Sequence, residues 1–338
     1  MPTVEPRSSA TGAQIWLGML VLYVVWGSTY LAIAIAVDTI PPFLMAASRF
    51  LLAGLILLTW SVARAGRSFG VPSRREIRDS AVVGGLLLGG GMGFVAYAEQ
   101  TVPSGIAALL IATMPIWVAV LGGVFLGERL PRLAGLGVVV GFVGVAILAA
   151  PSIVGGVGAL EPVGLILCLA SPLSWAIGSL FASHRAVLPR RPLVATGTQM
   201  VLGGIVLSVM ALVTGEFATF DARVVTRDSV IAFLYLTVIG SLLAFTVFGF
   251  MLRVAPLALV TTYAYVNPVV AVILGAIVLG EVIDVRTVVS GTVIVVAVAL
   301  IVTARGRMTA PNRERATSPA DPIEPGEAGQ TSAPAPTT

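Results

Sequence analysis

Clusters of polar and aromatic residues, three of them built around a proline, lie inside long apolar runs of this sequence. The clusters are Trp26, Ser28, Thr29 and Tyr30; Thr113, Pro115 and Trp117; Ser171, Pro172, Ser174 and Trp175; and Tyr263, Tyr265, Asn267 and Pro268. The faces of Trp and Tyr hold apolar bodies or organic cations, and an amide in an apolar environment requires hydrogen bonds. These residue types therefore indicate noncovalent binding of a small organic solute.

Side chains suited to bond-making chemistry are scarce in the same runs. Every aspartate lies in a connection or in the C-terminal tail, and the chain has one histidine, His184, and one cysteine, Cys168. This pattern excludes an intramembrane aspartyl protease and a zinc site of the HExxH type, and it leaves no disulfide framework. The sequence thus predicts no enzyme, no metal and no cofactor. Energy coupling, if present, would use a peripheral acid, His184 or charge on the solute.

The elements that carry these clusters must be membrane helices. The chain is 57% hydrophobic and 11% charged, with a mean hydropathy of +1.00, which a soluble protein of 338 residues could not bury. The pI near 9.7 comes from 20 arginines that collect in short loops, a placement that orients helices in a membrane. The expected partners are a small-molecule substrate and the lipid bilayer, and no nucleic acid.

Ten runs are long enough to span a bilayer, which takes about 20 mostly apolar residues. They are 15–37, 43–63, 80–98, 100–127, 133–160, 162–184, 192–215, 229–252, 254–280 and 287–304. The first run lacks a cleavage site after it, so we interpret it as the first helix rather than as a signal peptide. With the N-terminus inside, the outer connections hold only three arginines, Arg223, Arg227 and Arg286. The arginine bias therefore predicts that both termini are cytoplasmic.

An internal repeat relates the two halves of the chain. Its first copy, Pro103, Pro115 and Gly127-Glu128, recurs at the same spacing as Pro256, Pro268 and Gly280-Glu281. Because each half holds five spans, the second copy must enter the membrane upside down. The predicted fold is an all-α polytopic membrane protein whose ten transmembrane helices form a 5+5 inverted repeat around a central cavity. Such repeats are typical of alternating-access carriers, although duplication in a structural membrane protein would leave the same trace.

Three short segments carry a family resemblance. They are Trp26-Gly27-Ser28-Thr29-Tyr30-Leu31-Ala32-Ile33, Pro41-Pro42-Phe43-Leu44-Met45-Ala46 and Arg49-Phe50-Leu51. With these segments and the repeated proline and Gly-Glu positions, the chain resembles the EamA-type drug/metabolite transporter superfamily, and most of all the YedA-like bacterial inner-membrane exporters. The resemblance implies ten helices around a cavity and export of amino acids, metabolites or toxic compounds across the cell membrane. It leaves the solute open.

The resemblance also implies a division of the chain. It places the two EamA repeats at 15–150 and 160–304. The arginine bias makes the short segment 1–14 cytoplasmic, and the Pro-, Thr-, Ser-, Ala- and Glu-rich composition of 305–338 predicts a disordered cytoplasmic tail. Glycine-rich stretches permit close helix contact. They favour packing within one chain, so we expect a monomer or a weak homodimer.

The prolines Pro115, Pro172 and Pro268 are predicted to break their helices near the same depth. A proline removes one backbone donor and frees a carbonyl one turn earlier, and in hydrocarbon that carbonyl must face protein or a wet cavity. We therefore expect the first, fourth, sixth and ninth spans to line a common substrate cavity. Kinks in tightly packed helices are the alternative for the prolines, a packed core is the alternative for the aromatics, and a tie between helices is the alternative for Asn267.

Four charged residues are candidates for gating or structural roles. Arg49 lies well inside the second span, where a charge costs roughly 2.5–3.5 kcal/mol. An ion pair with Glu99, Glu161 or Glu281, an anionic substrate, or snorkelling would each satisfy it. Glu128 and Glu281 end the fourth and ninth spans, where a carboxylate opposes the helix dipole, so each should meet a nearby donor. Glu99 is either a member of this group or a solvated loop acid.

The sequence therefore predicts a carrier that moves a small organic solute by alternating access, with export as the direction that the resemblance implies. An uptake permease of the same architecture is the first alternative. A non-transporting membrane scaffold is the second.

Overall fold

The computed structural model describes residues 11–66, 70–128, 130–154, 160–255, 257–260 and 262–308, and every regular element in these ranges is a helix. In chain order the helices are α1 (Gly12–Val37), α2 (Pro42–Ala65), α3 (Arg74–Ala98), α4 (Ser104–Ile111), α5 (Met114–Leu126), α6 (Arg132–Val154), α7 (Pro162–His184), α8 (Pro192–Val213), α9 (Glu216–Thr219), α10 (227–254), α11 (Leu257–Val260), α12 (Tyr263–Leu279) and α13 (Val285–Met308).

Length and composition fit most of these helices to a bilayer. Within the described ranges, 9 helices are long and apolar enough to cross a membrane when α4 and α5 are taken together, and α12 is a shorter apolar helix. The chain is therefore an all-α, multi-pass membrane protein. The fourth predicted span is split into α4 and α5, and the ninth is split into α11 and α12.

Helix caps explain why several helices begin or end outside the predicted apolar runs. Thr11 and Gln14 form a capping box that starts α1 three residues before the predicted run, and Ser73 with Glu76 forms one that starts α3 six residues before it. α13 continues to Met308, so 305–308 belongs to a helix and not to the tail, contrary to the sequence prediction. The segments 1–10 and 309–338 lie outside the described residues. The length of a charge-free run indicates which residues lie in the hydrocarbon layer, whereas capping residues determine where the helix begins and ends.

Two helices contain wide turns that the sequence analysis did not predict. Gly85–Gly93 in α3 and Leu236–Leu243 in α10 are π-helical. Such stretches leave carbonyl groups without ordinary helical partners and occur at functional sites. Ser171 Oγ donates to Gly91 O at 2.8 Å, and Ser174 Oγ donates to Leu86 O at 2.8 Å. The α3 segment is thus hydrogen-bonded to α7, which it faces.

Glycines set the closest helix contacts in the bundle. α2 packs along α8, α6 along α13 and α1 along α12, and α3 also packs on α8. A Cβ on Gly84 of α3 would overlap the backbone oxygen of Gln199 in α8, whereas the nearest atom to a Cβ on the neighbouring Gly85 would be Val206 Cγ2 at 3.6 Å. Without a side chain at position 84 the two backbones can touch, as small residues allow in membranes.

This difference between adjacent glycines gives a paired prediction. Gly84→Ala is expected to lower the stability of the detergent-purified protein by about 1–3 kcal/mol, because the Cβ would push against backbone that cannot rotate away. Gly85→Ala should change it by less than about 0.5 kcal/mol, since its Cβ meets only ordinary contact. Melting followed by size-exclusion chromatography measures both variants. Equal melting temperatures for the two would contradict the contact between α3 and α8.

Candidate functional site: an aromatic cavity between the helices

A cavity of about 120 Å³ lies between α1, α2, α3, α4, α5, α7, α10 and α12. Its wall is mostly apolar. The residues singled out from the sequence that lie on that wall are Trp26, Thr29, Tyr30, Arg49, Pro115, Ser171, Pro172, Trp175, Tyr263, Asn267 and Pro268. Wall residues that the sequence analysis missed are Phe50, Met92, Val95, Ala108, Ile111, Ala112, Met114, Phe245 and Ala264. Small and aliphatic residues carry no signal that separates a cavity wall from packed core.

Aromatic rings form one side of the cavity. The Trp26 ring lies 4.9 Å from the Tyr263 ring and 5.6 Å from the Phe245 ring, both in edge-to-face geometry, and 5.1 Å from the Phe248 ring. Edge-to-face pairs stabilise one another beyond the area that they bury. The ring cluster therefore fixes α1, α10 and α12 relative to one another and gives the cavity a rigid aromatic face.

Five predicted cavity residues lie elsewhere. The hydroxyls of Ser28, Thr113 and Ser174 bond within the protein, Ser28 to Tyr235 Oη at 2.6 Å, Thr113 to Leu110 O at 2.6 Å and Ser174 to Leu86 O at 2.8 Å. Trp117 meets the Phe142 ring at 5.4 Å, and Tyr265 packs against the core that contains Cys168. These five are absent from the cavity wall. Depth along a span was predicted from the sequence, but the side of the helix was not.

The prolines behave differently from one another. Pro115 stands in the first turn of α5, directly after the interruption at Ala112 and Thr113, where a missing N–H costs nothing. Pro172 and Pro268 lie inside α7 and α12, which continue through them. The prediction of a helix break at these two positions is therefore wrong. In an apolar interior, no water is available to bond the backbone N–H and C=O groups beside each proline. These groups therefore keep their helical hydrogen bonds, and the helix continues on both sides of the proline ring.

Polar groups on the cavity wall differ in how they are satisfied. Thr29 Oγ1 donates to Trp26 O at 2.6 Å, and Ser171 Oγ donates to Gly91 O at 2.8 Å. Asn267 is 7% exposed, and its side-chain oxygen has no hydrogen-bond partner among the described residues. An unpaired buried amide oxygen costs roughly 1–3 kcal/mol. The amide oxygen of Asn267 is therefore a free acceptor at the cavity.

Arg49 is buried beside the same cavity, with 2% of its surface exposed. Its Nε donates to Ser241 Oγ at 2.8 Å, and Ser241 in turn donates to Leu236 O in the π-helical part of α10. Among the described residues no carboxylate lies within ion-pair distance of Arg49. Of the three possibilities that the sequence leaves open for Arg49, the structure therefore forms neither an ion pair nor a snorkelling side chain.

The acids proposed as partners of Arg49 are engaged or enclosed elsewhere. Glu281 accepts hydrogen bonds from Ser104 N and Ser104 Oγ, both at 2.7 Å, and from Gly105 N at 3.0 Å. Glu161 accepts from Gly164 N at 2.6 Å at the start of its own helix. Both carboxylates thus occupy helix N-termini, where the backbone donors and the dipole favour negative charge.

Glu216 also binds the start of a helix from the other half of the chain, as Glu281 does. Glu216 accepts from Phe43 N at 3.2 Å and from Leu44 N at 2.7 Å at the start of α2. Thr39 Oγ1 donates to Ser229 Oγ at 2.7 Å nearby. Glu216 could not be predicted from the sequence, because the backbone groups that it binds belong to the start of a helix far away in the chain. We call this side of the bundle, with Glu99, Ser104, Glu216 and Glu281, the Glu99 end.

The opposite side, with Asp79, Glu128 and His184, is the Glu128 end. Glu128 Oε1 lies 3.8 Å from His184 Nε2, and Asp79 accepts from Val187 N at 2.8 Å. A cleft of about 600 Å³ opens there, with Arg64 and Arg191 among its lining residues. Phe245 lines both this cleft and the central cavity. The cavity and the cleft therefore share one aromatic side chain as a common wall.

The two Gly-Glu pairs of the repeat have the same local geometry. Gly127 and Gly280 are left-handed, with φ of 64° and 67°, and end α5 and α12. Glu128 N donates to Gly122 O and Glu281 N donates to Gly275 O, both at 3.2 Å. Glycine is the residue that adopts this conformation without strain. Each Gly-Glu pair thus ends its helix at the glycine, and the glutamate side chain that follows points away from the helix axis.

Glu99 directly follows the third span and is 7% exposed, with no partner for either carboxylate oxygen among the described residues. It is therefore not a solvated loop acid. Burial, and to a lesser extent the negative charge of Glu281, raise the pKa of Glu99 well above its usual value of 4.5. A raised pKa in the folded state means that the neutral form is favoured, so stability is greatest at low pH and falls as pH rises toward that pKa.

Glutamine at position 99 is expected to remove this pH dependence. Between about pH 5 and pH 9 the melting temperature of the wild type should fall more steeply than that of Glu99→Gln, since only the wild type must bury a developing charge. Asp38→Asn, at an exposed carboxylate, serves as the matched control and should keep the slope of the wild type. Parallel curves for the wild type and Glu99→Gln would show that Glu99 is not held neutral.

Among the described residues no group of His, Cys, Asp and Glu side chains is arranged to hold a metal ion. The geometry instead combines a multi-pass helical bundle with an internal cavity of aromatic, aliphatic and few polar groups, which is the composition of a site for a small organic molecule. The class defined in this way is a multi-pass membrane protein with an internal solute-sized cavity.

Comparison with known proteins gives the family. The profile of the EamA-like transporter family matches residues 14–150 and 162–303, and the chain belongs to that family. The resemblance to the EamA-type superfamily is thereby confirmed. The "Uncharacterized inner membrane transporter YedA" of Escherichia coli K12 is 37% identical over 284 residues, which cover 84% of this chain and 89% of that protein.

More distant similarities agree with the family. A "Probable amino-acid metabolite efflux pump" of Salmonella typhimurium is 26% identical, over 78% of this chain and 86% of that protein. A solved crystal structure superposes with a TM-score of 0.59 at 19% identity, over 88% of this chain and 99% of that one. At this identity the superposition supports the fold alone.

Proposed function

We propose that the protein is a carrier that exports a small organic solute across the cell (inner) membrane by alternating access. The observation that carries the proposal is the cavity between eight helices, with its aromatic face and its few polar groups, in a chain of the EamA-like transporter family. A binding site deep in a helical bundle is what a carrier requires and what a scaffold does not.

The proposed architecture is ten transmembrane helices arranged as a 5+5 inverted repeat, with both termini cytoplasmic. Helix pairing supports it: α2 packs on α8 and α6 packs on α13, while α1 packs on α12 and α5 packs on α7. An inverted repeat would map each of the first two pairs onto itself and would exchange the last two. Glu281 beside Ser104 and Glu128 beside His184 also lie at opposite ends of the bundle.

The proposed conformation is open toward the cytoplasm. In the proposed topology the Glu99 end is the outer face, where Glu216 and Glu281 join the two halves of the chain. The cleft at the Glu128 end would be the cytoplasmic entrance, with Phe245 between it and the cavity. Export would then begin with solute entering from this cleft, followed by closure there and release of the two carboxylate contacts outside.

Direction is supported by relatives. The Salmonella protein is named an efflux pump, and the family resemblance favours export, but the same architecture serves an uptake permease. Cells that lack the protein and cells that overproduce it separate the two directions by solute accumulation and toxin tolerance. An exporter lowers accumulation and raises tolerance when overproduced, and a permease does the reverse.

The experiment that tests transport itself uses purified protein in sealed vesicles. Counterflow of radiolabelled amino acids, aromatic amines and monocarboxylates is measured against protein-free vesicles. Saturable counterflow of at least one class is expected. Absence of counterflow for all three classes would support the scaffold instead, provided that the protein is monodisperse and shows a cooperative thermal melt.

A further inference from the structure

The central cavity contains an arginine that has no counter-ion among the residues that the structure describes. Arg49 lies beside the cavity with 2% of its surface exposed. Nε is the only guanidinium nitrogen with a hydrogen bond among the described residues, and it bonds to the neutral Ser241. A buried charge without a partner is strongly unfavourable. An anion in the cavity would supply what the protein does not.

Three neighbours fix the guanidinium on its other sides. Ser241 Oγ accepts from Nε at 2.8 Å, and the Phe50 ring centre lies 4.8 Å from Cζ. Gly240 makes room, since a Cβ there would lie 3.3 Å from Nη2 of Arg49 and 3.2 Å from Thr29 Cγ2. The wide turn of α10 thus presents a glycine and a hydroxyl to the arginine. The arginine is therefore a positioned group rather than a stray charge.

The cavity also offers one unpaired acceptor, on a different helix. The side-chain oxygen of Asn267 in α12 is buried and has no hydrogen-bond partner within the described part of the chain, and Asn267 lies on the same cavity wall as Trp26 and Tyr263. An acceptor of this kind is satisfied by an N–H or O–H donor on a ligand. The aromatic side chains on the wall of the same cavity accommodate an apolar body.

Taken together, these groups select a class of solute. Arginine presents a planar fork of donors that matches a carboxylate in two parallel hydrogen bonds. Arg49 is the one charged side chain among the described residues of the cavity wall, so it balances one negative charge, whereas a phosphate would bring more charge than the cavity neutralises. Building on the proposed carrier function, we propose that the solute is a monocarboxylate with an apolar body and a hydrogen-bond donor, held by Arg49 at the carboxylate and by the Asn267 oxygen at the donor.

Matched probes test the proposal on detergent-purified, full-length protein. The probes are 3-phenylpropanoate, its uncharged isostere 3-phenylpropanamide, and phenylalanine, which adds an ammonium donor. Affinities are measured by calorimetry near pH 7. For the wild type we expect 3-phenylpropanoate to bind about ten-fold to a hundred-fold more tightly than the amide, which is the range for hydrogen bonds to a charged group. Phenylalanine should bind more tightly than 3-phenylpropanoate.

Variants assign the two contacts. Arg49→Met should abolish the preference for 3-phenylpropanoate over the amide, and Arg49→Lys should retain part of it. Asn267→Leu should keep that preference but remove the additional affinity of phenylalanine. If Arg49→Met does not fold, the wild-type comparison of acid and amide still decides the matter. Equal binding of acid and amide by the wild type, binding of none of the probes, or an intact preference in a folded Arg49→Met protein would each overturn the inference.

The outcome for the carrier function is separate. Saturable counterflow of amines in vesicles, together with no preference for carboxylates, would leave the proposed function standing and remove only the solute class. Absence of counterflow for every class would remove the proposed function. Binding of 3-phenylpropanoate through Arg49 would then identify an anion site in a protein that does not transport.

Discussion

Alanine in place of Trp26 is expected to reduce solute flux at least about ten-fold while most of the protein remains folded. Trp26 contacts Tyr263, Phe245 and Phe248 and forms part of the cavity wall. Removing the indole takes away the rigid face of the cavity and loosens three helices around it, and each decade of lost flux corresponds to about 1.4 kcal/mol. Initial rates of counterflow in vesicles, normalised to folded protein, measure the effect.

Trp16 provides the matched control on the same helix. Its side chain is 63% exposed on the outside of the bundle, so Trp16→Ala should leave the rate within about two-fold of the wild type. Trp26→Phe should preserve more flux than Trp26→Ala, because an aromatic ring still meets Tyr263. An unaltered rate in Trp26→Ala would make the indole a packing residue and would remove the aromatic face from the binding site.

Glutamine in place of Glu281 is expected to destabilise the protein by about 2–3 kcal/mol and to open the Glu99 end. The carboxylate accepts three hydrogen bonds, from Ser104 N, Ser104 Oγ and Gly105 N. Hydrogen bonds to a charged group contribute roughly 1.5–3 kcal/mol each, and an amide in the same place turns one acceptor into a donor that faces N–H groups. Thermal melting in detergent measures the loss of stability.

Glu161→Gln is the control for a cap that stays within one helix. Its carboxylate accepts one bond, from Gly164 N, so the expected loss is about 1 kcal/mol. In the Glu281→Gln protein, a reagent that cannot cross membranes should also label a cysteine introduced at Val102, which is buried at the same end, faster than in the Glu281 background. Equal losses of stability for the two variants would mean that Glu281 is one cap among others rather than a contact between the two halves.

Features that depend on local sequence could be predicted from the sequence. Apolar length located the helices, and the repeated Gly-Glu pairs located two helix stops of the same geometry. Depth along the spans brought Trp26, Trp175, Tyr263 and Asn267 to one cavity. Depth follows from counting residues at a fixed rise, so no knowledge of the neighbouring helices was needed.

Features that depend on distant partners could not be predicted. Ser28, Trp117 and Tyr265 lie at the predicted depth, but on sides of their helices that do not line the cavity. Only the packing of the helices fixes which side faces the cavity. The partner of Arg49 is Ser241, a neutral residue in a wide turn that the sequence does not reveal. Glu216 binds the start of α2 across the bundle. In each case the contact joins residues far apart in the chain, and periodicity within one segment carries no information about it.

The proposed carrier function requires that the cavity opens in turn to each side of the membrane as two oppositely oriented halves move. Its most direct test is a cysteine in place of Ala112, a small residue on the cavity wall, in a chain whose single buried cysteine is removed by Cys168→Ser. A small charged thiol reagent is added from either side of oriented vesicles. We predict labelling from the cytoplasmic side at rest and from the outer side once Glu281→Gln is added, with solute protecting the cysteine in both. A cysteine at position 112 that reacts from neither side would contradict the account.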